Sequence, residues 1–293
     1  MTPGAPRDIM KPKDADVKME KHPRTEEGSM DLKELCERID LAPEIQSEVL
    51  GADLRIPDEL AARLISTDTA DEAYGEIEKL CDPEKHGFDM LACMLGAALA
   101  VYGVYRKRGI DDEIFFSTMK CFSRFVNEHK ASFGYYGFDR GWWTYRQLSM
   151  TIFRIGELEY EFRNDEKTVH LHIPSDADTS VCACRESAER FLGFAAAHYP
   201  ETVGYPVTLS SWLISPALDE LLAPDSKIIG FKNCFDTVSW DENDTDFMQW
   251  VFGRKDIGYR DLPEMTSLQR NMKEYLMSGK KVGCASGILR KFG

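Results

Sequence analysis

The sequence lacks a membrane-length apolar run and a surplus of basic residues. Its longest apolar stretch, residues 90–104, is shorter than the ~20 residues that cross a bilayer, so we expect a buried helix and no membrane span. Acidic residues outnumber basic ones, 50 against 36, and the net charge is −14. Because contacts to phosphates need a basic surface, we expect no nucleic-acid partner.

A cysteine framework is also missing. The eight cysteines are scattered without the spacing of a disulfide scaffold, and no signal-peptide pattern precedes them. Free thiols in a reducing compartment are the simplest interpretation, which predicts a cytoplasmic protein. The sequence does not indicate an oligomeric state.

The patterns that are present divide the chain into three parts. Residues 1–30 mix Lys, Asp, Glu and Pro with few large apolar side chains, which predicts a disordered tail. Residues 31–150 show apolar residues at helical spacing and almost no strand signal. Residues 151–293 alternate strand and helix patterns. The sequence therefore predicts an α+β protein, a helical bundle followed by a mixed sheet with helices.

The helical part carries a long amphipathic stretch and an aromatic stretch. Residues 111–129 begin with acidic side chains and place their apolar residues on one stripe, which predicts a single helix. Tyr135, Tyr136, Trp142 and Trp143 follow in a glycine-rich segment. These rings suit either a pocket between the two domains or the core between them.

The last part alternates predicted strands and helices. The predicted strands are residues 153–162, 168–173, 207–214, 227–235 and 281–289. The predicted helices are residues 181–198, 216–222, 246–252 and 266–277. In the first strand Glu157, Glu159 and Glu161 share one face. Such a row is typical of a solvated edge, and the alternative is an acidic wall that attracts an amine.

Several segments of this part resemble a bacterial family of acyltransferases. They are FRIGELEYEF (153–162), LHIP (171–174), SWLISPALDELL (211–222), KIIGF (227–231), VFG (251–253) and TSLQR (266–270). Members of that family have a helical N-terminal domain and a C-terminal domain like that of GNAT-type N-acetyltransferases. The resemblance implies a helical domain at residues 31–150 and a GNAT-like domain at residues 151–293. It also implies transfer of an acyl group from acyl-CoA to an amine of a small molecule or peptide.

The same resemblance places acyl-CoA in a gap between the strands at residues 168–173 and 207–214. It implies a diphosphate-binding loop at residues 174–180, where backbone N–H groups at the start of the next helix favour an anion. The residues implied to contact acyl-CoA are Pro174, Ser175, Thr179, Ser180, Trp212 and Arg270. We expect no metal cofactor, because no cluster of Asp, Glu or His accompanies the histidines at ligand spacing.

Side chains near the implied gap are candidates for the chemistry. His172 is the candidate base that takes a proton from the amine, since imidazole titrates near neutral pH. Glu159 is an alternative base, and Ser211 is the candidate donor to the thiolate leaving group. Each of them also has a purely structural interpretation, in a core or on a strand face.

Two other functions stay open. Residues 174–180 contain no glycine and carry Asp176 and Asp178, whereas the loop of GNAT enzymes is glycine-rich. This departure favours a non-catalytic GNAT-like module that binds a ligand or a protein but has lost CoA binding. A metal-dependent hydrolase built on His170 and His172 is the weaker alternative, because no further ligands lie at a suitable spacing.

Overall fold

The computed structural model describes residues 30–290 of the chain. The predicted disordered tail, apart from Met30, lies outside the described residues. Within them, helices come first and a mixed sheet with flanking helices follows. The predicted fold class, α+β, is confirmed.

The first half consists of helices packed around a long central one. The helices are α1 (Leu32–Arg38), α2 (Pro43–Gly51), α3 (Asp58–Leu64), α4 (Ala70–Glu78), α5 (Phe88–Arg108), α6 (Asp112–Met119), α7 (Cys121–Phe133) and α8 (Gly141–Leu148). The central helix, α5, contacts α1, α2, α3 and α8. It ends at Gly109, whose φ of 68° favours glycine, and basic side chains occupy its last turn, where the helix dipole favours positive charge.

Helix α5 contains the apolar stretch singled out in the sequence. Among the described residues it is the one helix long and apolar enough to cross a membrane. In the structure, 67% of the most apolar 18-residue stretch of this helix is buried inside the protein. A helix that is apolar on most faces suits the centre of a bundle, because neighbouring helices cover every face.

The prediction of a single helix over residues 111–129 is wrong. Helices α6 and α7 meet at Lys120, whose ψ of −11° departs from the helical value of about −42°. Ser123 lies at this break, and its hydroxyl is 3.0 Å from the carbonyl oxygen of Lys120 and 2.5 Å from that of Ile39. These contacts compete with the regular backbone hydrogen bonds and tie the start of α7 to the end of α1.

The second half is built on a six-stranded mixed sheet. The strands are β1 (Ile152–Ile155), β2 (Leu158–Arg163), β3 (Thr168–His172), β4 (Val207–Ser211), β5 (Phe235–Asp241) and β6 (Cys284–Leu289). Their order is β1-β2-β3-β4-β6-β5, and the pairing is antiparallel except between β3 and β4. The helices are α9 (Val181–His198), α10 (Leu218–Leu221), α11 (Lys227–Lys232), α12 (Phe247–Phe252) and α13 (Ser267–Met277).

The single strand predicted at residues 153–162 is a hairpin of β1 and β2. A two-residue turn joins them, Ile155 pairs with Leu158, and the first turn residue, Gly156, has a φ of 65° that suits glycine. The sequence contains a signal for this turn: the apolar positions change from odd to even numbers between Ile155 and Leu158. The apolar side chains of β1 and those of β2 therefore lie on the same face of the sheet, as the pairing of Phe153 with Tyr160 shows.

The predicted strand at residues 227–235 is wrong in its first part. Residues Lys227–Lys232 form α11, and β5 begins only at Phe235. Ser226 caps the helix, and its side chain accepts a hydrogen bond from the Ile229 N–H at 3.2 Å. A short apolar run does not distinguish a strand from a buried helix, which explains the error. The strand predicted at residues 207–214 also ends early, at Ser211.

The two faces of the sheet are covered by different elements. On one face, β2 packs against α9, and the ring of Tyr160 stacks on Phe191 with centroids 4.1 Å apart. The opposite face carries polar side chains of β2 and β3. Helices α7 and α8 of the helical half contact it, through the Arg124–Glu159 ion pair and the packing of Trp143 on His172.

Candidate active site

A cleft of about 860 Å³ lies between the helical half and the polar face of the sheet. Its walls come from α7, α8, β2, β3, the segment after β3, β4 and α12. The lining is rich in charged and aromatic side chains, among them Arg124, Glu128, Arg140, Trp142, Trp143, Arg146, Arg163, Trp250 and Lys255. The tryptophans of residues 142–143 thus line a pocket, one of the two interpretations of the aromatic stretch.

The cleft opens where β3 and β4 separate. These parallel strands pair only at Val169–Val207 and His170–Thr208. Beyond those pairs, His172 and Ser211 lie on opposite sides of the gap, and both line the cleft. Strands that part in this way leave backbone groups free to bond an extended ligand between them.

The two glutamates of β2 are buried on the polar face of the sheet, and Glu159 lines the cleft. Glu159 is 2% exposed and Glu161 is 7% exposed, so the interpretation as a solvated edge is wrong for both. Arg124 of α7 donates a hydrogen bond to Glu159 at 2.8 Å. A buried carboxylate needs such a partner, because burying an unpaired charge is costly.

His172 and Glu161 form a hydrogen-bonded pair. Nε2 of His172 lies 2.9 Å from Oε2 of Glu161, and Trp143 packs edge-on against the imidazole with ring centroids 4.8 Å apart. Arg146 at 3.4 Å and Arg163 at 3.1 Å bind the same carboxylate. Burial opposes ionisation, yet these contacts, chiefly that of His172, lower the pKa of Glu161 to about 2. An ionised carboxylate only accepts, so Nε2 carries a proton, and in the neutral form of the imidazole Nδ1 is then an acceptor.

His170 lies beside this pair but is held neutral. Its ring centroid is 4.9 Å from that of His172, and its Nδ1 is 3.1 Å from the hydroxyl of Thr208. Burial and the nearby His172 lower the pKa of His170 to about 4. A group with so low a pKa is a weak base at neutral pH, so His172 is the candidate base. Across residues 30–290, no group of three or more His, Cys, Asp or Glu side chains is placed to hold a metal ion.

The acidic side chains of the segment after β3 are paired with cations. Arg154 binds both carboxylate oxygens of Asp176, at 2.7 and 2.9 Å. Lys227 of α11 binds Asp178 at 3.1 Å. Each carboxylate therefore has its charge balanced by a neighbour, and its repulsion of a nearby anion is reduced.

Helix α9 begins directly after this segment. Ser180 is its N-cap, and the Ser180 side chain accepts a hydrogen bond from the Ala183 N–H at 3.4 Å. The backbone N–H groups of Val181 and Cys182 donate no hydrogen bond within the described part of the chain. Free N–H groups and the positive end of the helix dipole favour an anion at this point, as the resemblance implies.

Most of the predicted site residues line the cleft. They are Glu159, His172, Pro174, Ser175, Thr179, Ser211 and Trp212. Ser180 and Arg270 do not line it: Ser180 caps α9, and Arg270 of α13 donates to the carbonyl oxygen of Glu264 at 2.9 Å. Ser211 accepts a hydrogen bond from the Leu213 N–H at 3.1 Å, so its O–H remains available as a donor.

Reasoning from the sequence missed the cleft residues of the helical half. Arg124 and Glu128 lie on α7, and Arg146 lies on α8. The hydroxyl of Ser175 donates a hydrogen bond to Glu128, whose pKa is raised by burial. Charged residues opposite the apolar stripe of a helix are normally solvated, so no sequence signal separates these from surface charges.

Two family profiles match the chain. The profile described as an N-acyltransferase N-terminal domain matches residues 30–150, and that described as a GNAT-like C-terminal domain matches residues 152–289. The chain belongs to this N-acyltransferase family. The family resemblance drawn from the sequence is therefore confirmed, and with it the predicted class, an acyltransferase.

Solved structures of acyltransferases share the fold of this N-acyltransferase. One, in complex with decanoyl-CoA and teicoplanin, is 23% identical over 93% of this chain and 90% of that chain, with a TM-score of 0.71. Another, in complex with CoA and 10C-teicoplanin, is 22% identical over 89% and 88%, with a TM-score of 0.72. A third, in complex with decanoyl-CoA, is 20% identical over 89% and 100%, with a TM-score of 0.63. Among curated protein sequences, none matches the chain.

Proposed function

We propose that this N-acyltransferase moves an acyl group from acyl-CoA to an amine, with His172 as the base. The observation that carries the proposal is the His172–Glu161 pair, which lies at the gap between β3 and β4. The cleft lining also includes Thr179, two residues before the first residue of α9, which supports a ligand that extends from the gap toward the free N–H groups there. Relatives of the same fold were crystallised with CoA and decanoyl-CoA, which supports acyl-CoA as the co-substrate.

The lining of the gap suits the parts of an acyl-CoA. The N–H groups of Val181 and Cys182 would hold the diphosphate, and the separated edges of β3 and β4 would bind the pantetheine arm. Apolar side chains near the end of β4 would hold the acyl chain: Leu209, Trp212, Leu213 and Ile228. This apolar wall favours a medium or long acyl chain over acetyl, since each buried methylene contributes about 0.8 kcal/mol.

The chemistry follows from the proton positions in the site. The amine attacks the thioester carbon, and Nδ1 of His172 accepts a proton from the amine nitrogen. Glu161, ionised at neutral pH, stabilises the imidazolium that forms. As the C–N bond forms and the C–S bond breaks, the O–H of Ser211 donates a hydrogen bond to the departing thiolate. The amine attacks the thioester directly, without a covalent enzyme intermediate. Holding the two substrates in the reactive geometry therefore contributes much of the rate enhancement.

The acceptor we propose is an amine on a peptide-like scaffold. Relatives of the same fold were crystallised with teicoplanin and 10C-teicoplanin, which supports a glycopeptide or another peptide amine as the acceptor. Trp142 and Trp250 line the cleft and remain 46% and 47% exposed, so they offer ring faces to a large acceptor. All eight cysteines lie among residues 30–290 and none of them forms a disulfide there, which supports action in the reducing cytoplasm.

Binding and turnover test the proposal separately. Calorimetric titration should show micromolar binding of octanoyl-CoA, and release of the CoA thiol in the presence of a peptide amine should report turnover. His172→Gln should leave octanoyl-CoA binding unchanged and lower kcat by about 100- to 1,000-fold. His198→Gln, on α9 and away from the cleft lining, is the matched control and should change neither. Absence of binding at millimolar octanoyl-CoA would favour the non-catalytic module.

A further inference from the structure

The segment between β3 and α9 is held by an arginine whose side chain is mostly buried. The guanidinium of Arg154 contacts both carboxylate oxygens of Asp176 and also donates to the carbonyl oxygen of Gly156 at 3.3 Å. The side chain of Arg154 is 12% exposed, whereas that of Asp176 is 56% exposed. Arg154 is therefore the fixed partner, and Asp176 ties the segment to the sheet.

A second arginine couples the segment to the floor of the cleft. Nη1 of Arg124 lies 3.9 Å from Asp176, and Nη2 of the same guanidinium donates to Glu159 at 2.8 Å. One residue before Asp176, the Ser175 hydroxyl donates a hydrogen bond to Glu128 on α7. The segment thus has contacts with β1 on one side and with α7 of the helical half on the other.

These contacts explain why the segment needs no glycine. None of the residues 174–180 has a positive φ, so the backbone follows a path that any residue adopts. Glycine-rich loops bring the backbone close to a phosphate because no side chain intervenes. Here the Asp176 side chain is drawn toward Arg154 and Arg124, which leaves the opposite side of the backbone for the ligand.

We propose that Asp176 is a positioning residue for the diphosphate of acyl-CoA. Its ion pairs with Arg154 and Arg124, the Asp176 clamp, hold the segment and the start of α9 in the conformation that binds the diphosphate. The proposal rests on the proposed function and adds to it the element that replaces the glycine loop. The clamp acts through the backbone, so Asp176 itself does not touch the ligand.

The clamp and simple electrostatics predict opposite changes in acyl-CoA affinity when Asp176 loses its charge. Asp176→Asn removes a negative charge near the diphosphate site, so relief of repulsion alone would strengthen acyl-CoA binding. Loss of the clamp would instead weaken it, because the ligand would then have to order the segment on binding. Weaker acyl-CoA binding by Asp176→Asn would therefore indicate a positioning role, and stronger binding would indicate that Asp176 only repels the diphosphate.

The experiment compares two ligands that differ in the phosphates. Calorimetry would measure Kd for octanoyl-CoA and for S-octanoyl-pantetheine, which lacks the diphosphate, on the full chain. Asp176→Asn should weaken octanoyl-CoA binding by about fivefold and leave S-octanoyl-pantetheine binding unchanged. Arg154→Gln should have the same effect, and the double variant should lose no more than either single variant.

A matched control removes a different ion pair between the two halves. Glu113 of α6 binds Arg190 of α9 at 2.6 Å, both side chains are exposed, and neither lines the cleft. Glu113→Gln should bind both ligands like the wild type. Thermal unfolding checks that Asp176→Asn is folded, and Arg154→Lys, which keeps the charge but loses the two-oxygen contact, gives the same comparison if it is not.

Each contrary outcome has a distinct meaning. Tighter or unchanged octanoyl-CoA binding by Asp176→Asn would overturn the clamp and leave the proposed function standing. Equal weakening of both ligands would show a general structural role for Asp176 and would also overturn the clamp. A wild-type chain that binds neither ligand would overturn the clamp together with the proposed function.

Discussion

Replacing Glu161 with glutamine removes a charge from a side chain that the fold buries. Burial opposes ionisation of this carboxyl, but the contacts from His172, Arg146 and Arg163 lower its pKa from 4.5 to about 2. One pKa unit corresponds to about 1.4 kcal/mol, so the ionised carboxylate contributes about 3 kcal/mol to the free energy of unfolding at neutral pH. Glu161→Gln should lose this contribution with little change in side-chain volume.

The pH dependence of this contribution has a definite sign. A carboxyl whose pKa is lower in the folded state stabilises fully above its unfolded pKa and loses that effect as the pH falls through the folded value. For Glu161 the loss should occur between pH 4.5 and pH 2. At pH 3.5 about 2 kcal/mol of the stabilisation should remain. The difference between wild type and Glu161→Gln should therefore shrink on acidification.

Urea unfolding followed by tryptophan fluorescence measures the difference at pH 7 and pH 3.5. Glu166→Gln is a matched control, because Glu166 lies 3.7 Å from Arg163 but is 56% exposed, and it should change the free energy of unfolding by under about 0.5 kcal/mol. A loss below about 1 kcal/mol for Glu161→Gln at pH 7 would refute the reasoning. A difference that grows toward pH 3.5 would refute it as well.

Two further predictions concern α9. Burial raises the pKa of the Cys184 thiol to about 12, whereas Cys182 is exposed, so iodoacetamide at pH 7.5 should alkylate Cys182 well before Cys184. Peptide mass spectrometry reads both rates, and equal rates would contradict the prediction. Phe191→Ala removes the ring stacked on Tyr160 and should lower the free energy of unfolding by about 3–5 kcal/mol. A loss under about 1 kcal/mol in urea unfolding would show that the stack is not part of the core.

Local periodicity predicted much of the sheet, whereas the gap between β3 and β4 was implied by the family resemblance. The alternation around Leu158 and Tyr160 predicted a strand with two different faces, because side chains of a strand alternate. The strand predicted at residues 168–173 and the helix predicted at residues 181–198 correspond to β3 and α9, separated by the predicted loop at residues 174–180. These signals lie within a few residues of the features that they predict.

Tertiary partners explain what the sequence could not predict. From the sequence alone, the row containing Glu159 and Glu161 is typical of a solvated edge. In the structure Arg124, which is 35 positions away from Glu159, lies opposite and pairs with it. A charge pattern shows which side chains share a face but not which element covers that face. The run from Lys227 to Phe231 is likewise compatible with both a strand and a helix. The Ser226 cap and the burial of Ile229 stabilise the helix.

The alternation of β2 couples the hydrophobic core to the candidate active site. Tyr160 packs against α9, and its neighbours Glu159 and Glu161 face Arg124 and His172 in the cleft. A slip of one residue would exchange the two sets, placing carboxylates against α9 and an aromatic ring in the cleft. The core contacts therefore also fix the position of the carboxylate that orients the candidate base. Arg124 belongs to the helical half and pairs with Glu159 of the sheet, so the geometry of this site depends on both halves of the chain.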